Sequence, residues 1–156
     1  MPLETAWIGP EDARLPQVRE MFEEYQTELG IDLCFQGFQE ELAGLPGKYG
    51  PPRGALMLVH DGEDPVACGA IRDLGDDVAE LKRLYVRPGH RGSGLGRRVT
   101  VDLMSRARDL RYRLLRLDTL RRLTTAISLY QSLGFSETEP FNDGAGHDIV
   151  YLEREL

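Results

Sequence analysis

Cysteine is scarce: Cys34 and Cys68 are the only two in 156 residues. So few exclude a disulfide scaffold and fit a reducing, cytoplasmic setting. Long apolar runs are missing too, since none approaches the ~18 residues that cross a bilayer. The opening Met1-Pro2-Leu3-Glu4-Thr5 has no basic stretch leading into an apolar one, so no secretory signal is expected. Repeats and low-complexity tracts are absent, which argues against solenoid and fibrous architectures. Excess positive charge is lacking as well: a net charge of −7 and a pI near 5.0 argue against a general nucleic-acid binder.

What remains is an ordinary globular composition, with 41% hydrophobic and 29% charged residues. The length suits one domain over 1–156, and a chain of this size buries roughly 70% of its surface. The charge is unevenly spread. Residues 1–81 carry 17 acidic and 5 basic side chains, and residues 82–156 carry 9 and 14. Such a chain can hold an anion with its second half and a cation beside its first, although a solvated imbalance looks the same in sequence.

Periodicity divides the chain into elements. Leu3–Ile8 predicts a short strand closed by Gly9-Pro10. Leu15, Val18, Met21, Phe22, Tyr25 and Leu29 predict a helix over 15–29, with Pro16 in its first turn and Gly30 as its stop. A second short helix is expected over Phe38–Leu45, and the turn-rich Tyr49–Gly54 reads as a connector or mobile flap. Strands follow at 56–59, 66–71 and 79–86, separated by short turns that imply antiparallel neighbours. A helix over 95–110 and a strand over 114–120 make a strand–helix–strand unit. A last helix over 124–133 and two strands from Phe135, the second at 149–152, complete an α+β sheet.

The informative stretch is Tyr85-Val86-Arg87-Pro88-Gly89-His90-Arg91-Gly92-Ser93-Gly94-Leu95-Gly96-Arg97-Arg98. A strand runs into a glycine-rich turn that opens a helix. Backbone N–H groups at the positive end of a helix, with side chains stripped away, suit a phosphate. Gly96 is followed by Arg97-Arg98 where a nucleotide-triphosphate loop needs Lys-Ser/Thr. The dinucleotide fingerprint fails because Arg97 stands at its third glycine position.

Arg91-x-x-Gly94-x-Gly96, preceded by Leu84-Tyr85-Val86-x-Pro88, resembles the acyl-CoA pyrophosphate signature of the GNAT N-acetyltransferases. Ala126-x-x-Leu129-Tyr130-x-x-x-Gly134-Phe135 resembles the family's later helix and strand at the proper separation. The resemblance implies a mixed, mostly antiparallel sheet flanked by helices. It implies that the backbone of Arg91, Gly92, Ser93, Gly94, Leu95, Gly96 and Arg97 holds the pyrophosphate of acetyl-CoA. It implies that Leu84, Tyr85 and Val86 end a bulged strand that splays from the next strand and admits pantetheine, with the N–H of Val86, or of its neighbour, at the thioester carbonyl. Tyr130 matches the tyrosine that protonates the departing thiolate, the alternative being simple packing. Glu80 matches the glutamate that serves histone-acetylating members as base, the alternatives being an ion pair with Lys82 or a pocket wall. The family's usual asparagine is replaced by Leu123, and Thr119, Thr124 and Thr125 are available substitutes.

The other candidates carry less. His60, His90 and His147 have no metal-ligand spacing, so no metal is expected, and Cys68 in a strand reads as core. The function expected from the resemblance is acetyl transfer from acetyl-CoA to a primary amine of a small molecule, by direct attack without a covalent enzyme intermediate. A protein N-acetyltransferase and a non-catalytic acyl-CoA-binding module are the alternatives. Neither nucleic acid nor membrane is an expected partner, and a homodimer is left open. Residues 141–146 and the first two helices should frame the acceptor. Acids at 20, 23, 24, 28, 32, 40 and 41 predict a cationic one.

Overall fold

The computed structural model describes residues 2–30 and 37–156. Seven strands form one sheet in the order β1-β2-β3-β4-β5-β7-β6: β1 (Leu3–Trp7), β2 (Ala55–Asp61), β3 (Asp64–Gly75), β4 (Val78–Val86), β5 (Leu114–Leu120), β6 (Ser136–Glu137) and β7 (Ile149–Glu155). Every neighbouring pair is antiparallel except β4 and β5. Helices α1 (Leu15–Leu29) and α2 (Phe38–Ala43) cover one face, and α3 (Leu95–Asp109) and α4 (Thr124–Ser132) accompany the other. The fold is α+β, a mostly antiparallel sheet with flanking helices. Among the described residues no helix is long and apolar enough to cross a membrane.

The period-2 alternation of strands sorts side chains between two cores. Along β2, Leu56 and Leu58 pack with Val18, Met21 and Phe22 of α1, whereas Met57 and Val59 pack with Val99 and Leu103 of α3. The α3 contact is close: a Cβ on Gly69 of β3 would sit 2.6 Å from Leu103 Cδ1. Only glycine lets the helix approach β3 there.

The connector before β2 differs from its expectation as a mobile flap. Tyr49 is fully buried and meets Phe22 edge-on, with ring centroids 6.1 Å apart. Arg53 donates to the Leu110 carbonyl at 2.7 Å and stacks on Tyr112, whose hydroxyl donates to the Arg53 carbonyl at 2.6 Å. A turn-rich composition says nothing of these distant anchors.

Two departures from regularity shape β4. Cys68 pairs with Tyr85 and Ala70 with Lys82, so Arg83 and Leu84 together oppose Gly69 in a β-bulge. Arg83 adopts φ +59°, and its 3%-exposed side chain makes a two-point ion pair with Glu41 of α2 at 2.9 and 3.0 Å. On the other edge, β4 pairs with β5 only at Val78–Leu114, Ala79–Leu115 and Glu80–Arg116. Beyond Glu80 the two strands part.

Candidate active site

The parted strands open a cleft of about 760 Å³ that runs from the β4–α3 turn to the 141–147 loop. Ten of the twelve residues singled out from sequence line it, and Ser93 and Glu80 do not.

The β4–α3 turn forms one end. Gly92 and Gly94 take φ of +77° and +83°, a region closed to most side chains, and Gly94 caps α3. Among the described residues no acceptor takes the N–H groups of residues 92–97. They converge at a helix N-terminus, the geometry that suits an anion. The nest is shorter by one residue than expected, because the Arg91 N–H donates to the Pro88 carbonyl at 3.3 Å. The Arg91 side chain spans the cleft mouth instead, with Nε on the Val86 carbonyl at 2.9 Å and the guanidinium on Glu28 at 2.5 Å. Ser93 Oγ donates to the His90 carbonyl, and Arg97 ties α3 to Ser132 of α4.

Ladder geometry aims the end of β4 into the cleft. The Arg87 N–H donates to the Val66 carbonyl at 2.9 Å, which makes that pair hydrogen-bonded across β3–β4. Hydrogen-bonded and open pairs alternate in an antiparallel ladder, so at Ala67–Val86 the Val86 N–H and carbonyl point away from β3, toward the gap. The Arg91 bond to the Val86 carbonyl agrees with that orientation.

Tyr130 lines the same gap from α4. Its ring is 6% exposed and meets Phe135 edge-on at 5.8 Å, and among the described residues no hydrogen bond engages its hydroxyl. Burial pushes the phenol far above its ordinary value of 10, so it stays protonated.

Glu80 is placed differently from its sequence expectation. Its carboxylate is 1% exposed and accepts from Arg72 Nε at 2.7 Å, across the β3–β4 hairpin. Arg72, not Lys82, supplies this ion pair. Lys82 lines the cleft, together with Asp118 of β5, which sequence reasoning missed. Thr119, Thr124 and Thr125 also line it beside Leu123. His147 is exposed at the cleft, His60 is buried on Gln17 at 2.7 Å, and Cys68 is buried with its thiol pushed up to about 12 by desolvation. Cys34 lies outside the described residues.

Four of the seven acids that predict a cationic acceptor are paired with arginines of the second half. Arg87 binds Glu20 at 3.0 Å and Glu24 at 2.5 Å, Arg91 binds Glu28, and Arg83 binds Glu41. Glu23 and Glu40 are exposed, and Asp32 lies outside the described residues.

An anion nest opens into a cleft between splayed strands. The sequence profile of the Acetyltransferase (GNAT) family matches residues 15–135. An uncharacterized N-acetyltransferase of Schizosaccharomyces pombe is 37% identical over 149 residues, which cover 94% of this chain and 90% of that protein. Among solved structures, an acetyltransferase from Streptococcus agalactiae superposes with a TM-score of 0.80 at 21% identity, covering 99% and 98% of the two chains. A Salmonella typhimurium protein solved with its cofactor acetyl-CoA gives 0.74 at 18% identity, over 100% and 95%. The chain belongs to the GNAT acetyltransferase family, and its activity is acetyl transfer.

Proposed function

We propose that this protein, as one domain over 1–156, moves the acetyl group of acetyl-CoA to the primary amine of a small molecule by direct attack. The observation that carries the reading is the continuity of the cleft: anion nest, inward-facing Val86 N–H and unengaged Tyr130 hydroxyl share one wall system. The acetyl-CoA recorded with the Salmonella protein supports the choice of donor.

On this reading the N–H groups of residues 92–97 hold the pyrophosphate and pantetheine enters beside Leu84 and Val86. The amine nitrogen attacks the thioester carbonyl carbon while the Val86 N–H stabilises the oxyanion, an effect typically worth a few kcal/mol. The C–S bond then breaks, its electron pair goes to sulfur, and Tyr130 donates a proton to the thiolate. An alkylammonium must first lose a proton, since its pKa is ~10. Glu80 is buried on Arg72 and is not among the residues lining the cleft, so on this reading the proton leaves through cleft water. Release of CoA thiol from acetyl-CoA across a panel of amines tests the reading. Turnover on any small amine supports it, and binding of acetyl-CoA with no turnover on small amines, peptides or proteins leaves only a binding module.

A further inference from the structure

Strand β5 sends its side chains to both sides of the sheet. Leu115 and Leu117 pack in the core under α3 and α4, so Asp118, one residue further on, faces α1 and α2. Helix α1 brings Tyr25 to that side, where the ring packs on the α1–α2 core and meets Tyr85 of β4 edge-on, with centroids 6.3 Å apart. Asp118 and Tyr25 both line the cleft, as does Tyr130 from the α4 side. The three are within electrostatic reach in sequence: the charge of Asp118 acts on the Tyr25 phenol, and Tyr25 acts on Tyr130. A carboxylate and a phenol on the α1 side thus share the gap with the leaving-group acid.

We propose that Asp118 and Tyr25 receive the acceptor nitrogen between them, that Asn142 positions Asp118 for this, and that the pair selects a primary amine over a secondary one. The inference rests on the acetyl-transfer reading of the same cleft.

Three observations support it. First, Asp118 is oriented rather than loose. Asn142 Nδ2 donates to Asp118 Oδ2 at 2.8 Å, and Asn142 Oδ1 accepts from the Tyr151 hydroxyl at 2.7 Å and the Gly144 N–H at 2.9 Å. Among the described residues no hydrogen bond engages Asp118 Oδ1. Second, among the described residues none engages the Tyr25 hydroxyl either, and burial pushes its phenol up to about 12. The phenol is therefore neutral, and its oxygen can accept an N–H. Third, Glu28, Glu41 and Glu80, which come from α1, α2 and β4, are committed to Arg91 at 2.5 Å, Arg83 at 2.9 Å and Arg72 at 2.7 Å. The chemistry then counts N–H groups. A primary alkylammonium has three. Once one proton has left to cleft water, the other two meet Asp118 Oδ1 and the Tyr25 oxygen, and the lone pair is free for the thioester carbon. An N-methyl amine keeps a single N–H at that stage, so one acceptor loses its partner.

The test compares benzylamine, n-hexylamine and 2-phenylethylamine, each with its N-methyl derivative and with the alcohol in which oxygen replaces nitrogen. The proteins are wild type, Tyr25→Phe, Asp118→Asn, Asn142→Ala and the double variant Asp118→Asn with Asn142→Ala. Both kcat/KM and calorimetric affinity in the presence of CoA are read. Wild type should favour a primary amine over its N-methyl derivative by about 10–100-fold, the worth of one charge-assisted hydrogen bond. Tyr25→Phe keeps the ring on Tyr85 and should cut that ratio about tenfold. Asp118→Asn should remove the affinity advantage of amine over alcohol. Asn142→Ala should raise KM more than it lowers kcat, and should add nothing once Asp118 is replaced. A wild type that treats primary and N-methyl amines alike overturns the proposal. So does an unchanged ratio in Tyr25→Phe, the signature of exclusion by size alone. An Asp118→Asn variant that keeps the amine-to-alcohol preference also overturns it, because the carboxylate then serves only the fold. A thermal shift with acetyl-CoA in each variant shows that the fold and donor site persist. If no amine is turned over at all, the transfer reading fails, and the calorimetric amine-to-alcohol ratios still decide whether this pair holds an ammonium.

Discussion

At the scale of single residues, burial decides which groups can act. Tyr130 is enclosed enough that its phenol is pushed well above 10, so across the working pH range it can give a proton but does not ionise. Tyr130→Phe retains the ring against Phe135 and removes only the donor. We expect kcat to fall roughly 10²–10⁴-fold, with the acetyl-CoA-induced thermal shift unchanged. An unaltered kcat, with chemistry rate-limiting, reduces Tyr130 to packing. Glu80 gives the opposite expectation. Its carboxylate is committed to the half-exposed Arg72, so Glu80→Gln should lower stability by about 1–2 kcal/mol and leave kcat within tenfold. Denaturant melts and steady-state rates on the same samples separate the two effects; a loss of kcat beyond 10²-fold in a stable variant restores Glu80 as the base. Sequence could not reveal this, because Arg72 lies eight residues away and only the β3–β4 register brings the two opposite. Tyr130 was legible because a helix stripe and a local motif sufficed.

At the scale of elements, the bulge in β4 is fastened by α2. Burial pushes the Glu41 carboxyl up, but the hydrogen bonds and charge of Arg83, with Lys48 behind them, outweigh burial and hold it below its ordinary 4.5. A depressed folded value gives stability that is fully present above pH 4.5 and is lost as pH falls through the lowered value. Glu41→Gln should therefore cost roughly 3–5 kcal/mol at neutral pH, since it strands a 3%-exposed guanidinium, and should flatten the acid limb of the stability profile. Urea melts between pH 3 and 7 read both effects; an equally steep acid limb in the variant assigns acid sensitivity elsewhere. The β4–α3 turn yields a second prediction. A Cβ on Gly94 would meet nothing within 4 Å, so the space in front of it is open, although φ is +83°. Gly94→Glu should cost about 1–2 kcal/mol in backbone strain and abolish acetyl-CoA binding by placing a carboxylate in the nest. Calorimetry that finds binding intact moves the pyrophosphate elsewhere. Helix α1 and strand β5 were legible to the residue: apolar spacing with Pro16 and Gly30 bounds α1, and the leucine-rich run Leu114–Leu120 between arginine-rich flanks bounds β5. The anchoring of the 49–54 connector and the charges on β5 were not, because both depend on contacts between distant segments.

At the scale of the whole molecule, one sheet separates two cores, and the cleft is the place where they meet. The α1–α2 core and the α3–α4 core share β2, β3 and β4, but β4 and β5 part beyond Glu80. What spans the mouth is polar: Arg91 to Glu28, and the Arg122 guanidinium to the Leu29 carbonyl. These exposed contacts are individually weak. On the proposed reading, acetyl-CoA seated from nest to gap would bond through its pyrophosphate to α3 and through pantetheine to β4, and so couple both sides of the sheet. A ligand that binds only the folded chain stabilises it by about 2.7 kcal/mol at a hundred times its Kd. For a chain of this length that is a rise in Tm of roughly 5–10 °C. Acetyl-CoA and CoA should both produce it without added Mg²⁺, whereas ATP and NADH at equal concentration should not, since the turn lacks the Lys-Ser/Thr pair and the third dinucleotide glycine. Scanning calorimetry with the four ligands checks this. A shift with NADH and none with CoA would remove acetyl-CoA from the cleft while leaving the fold as described.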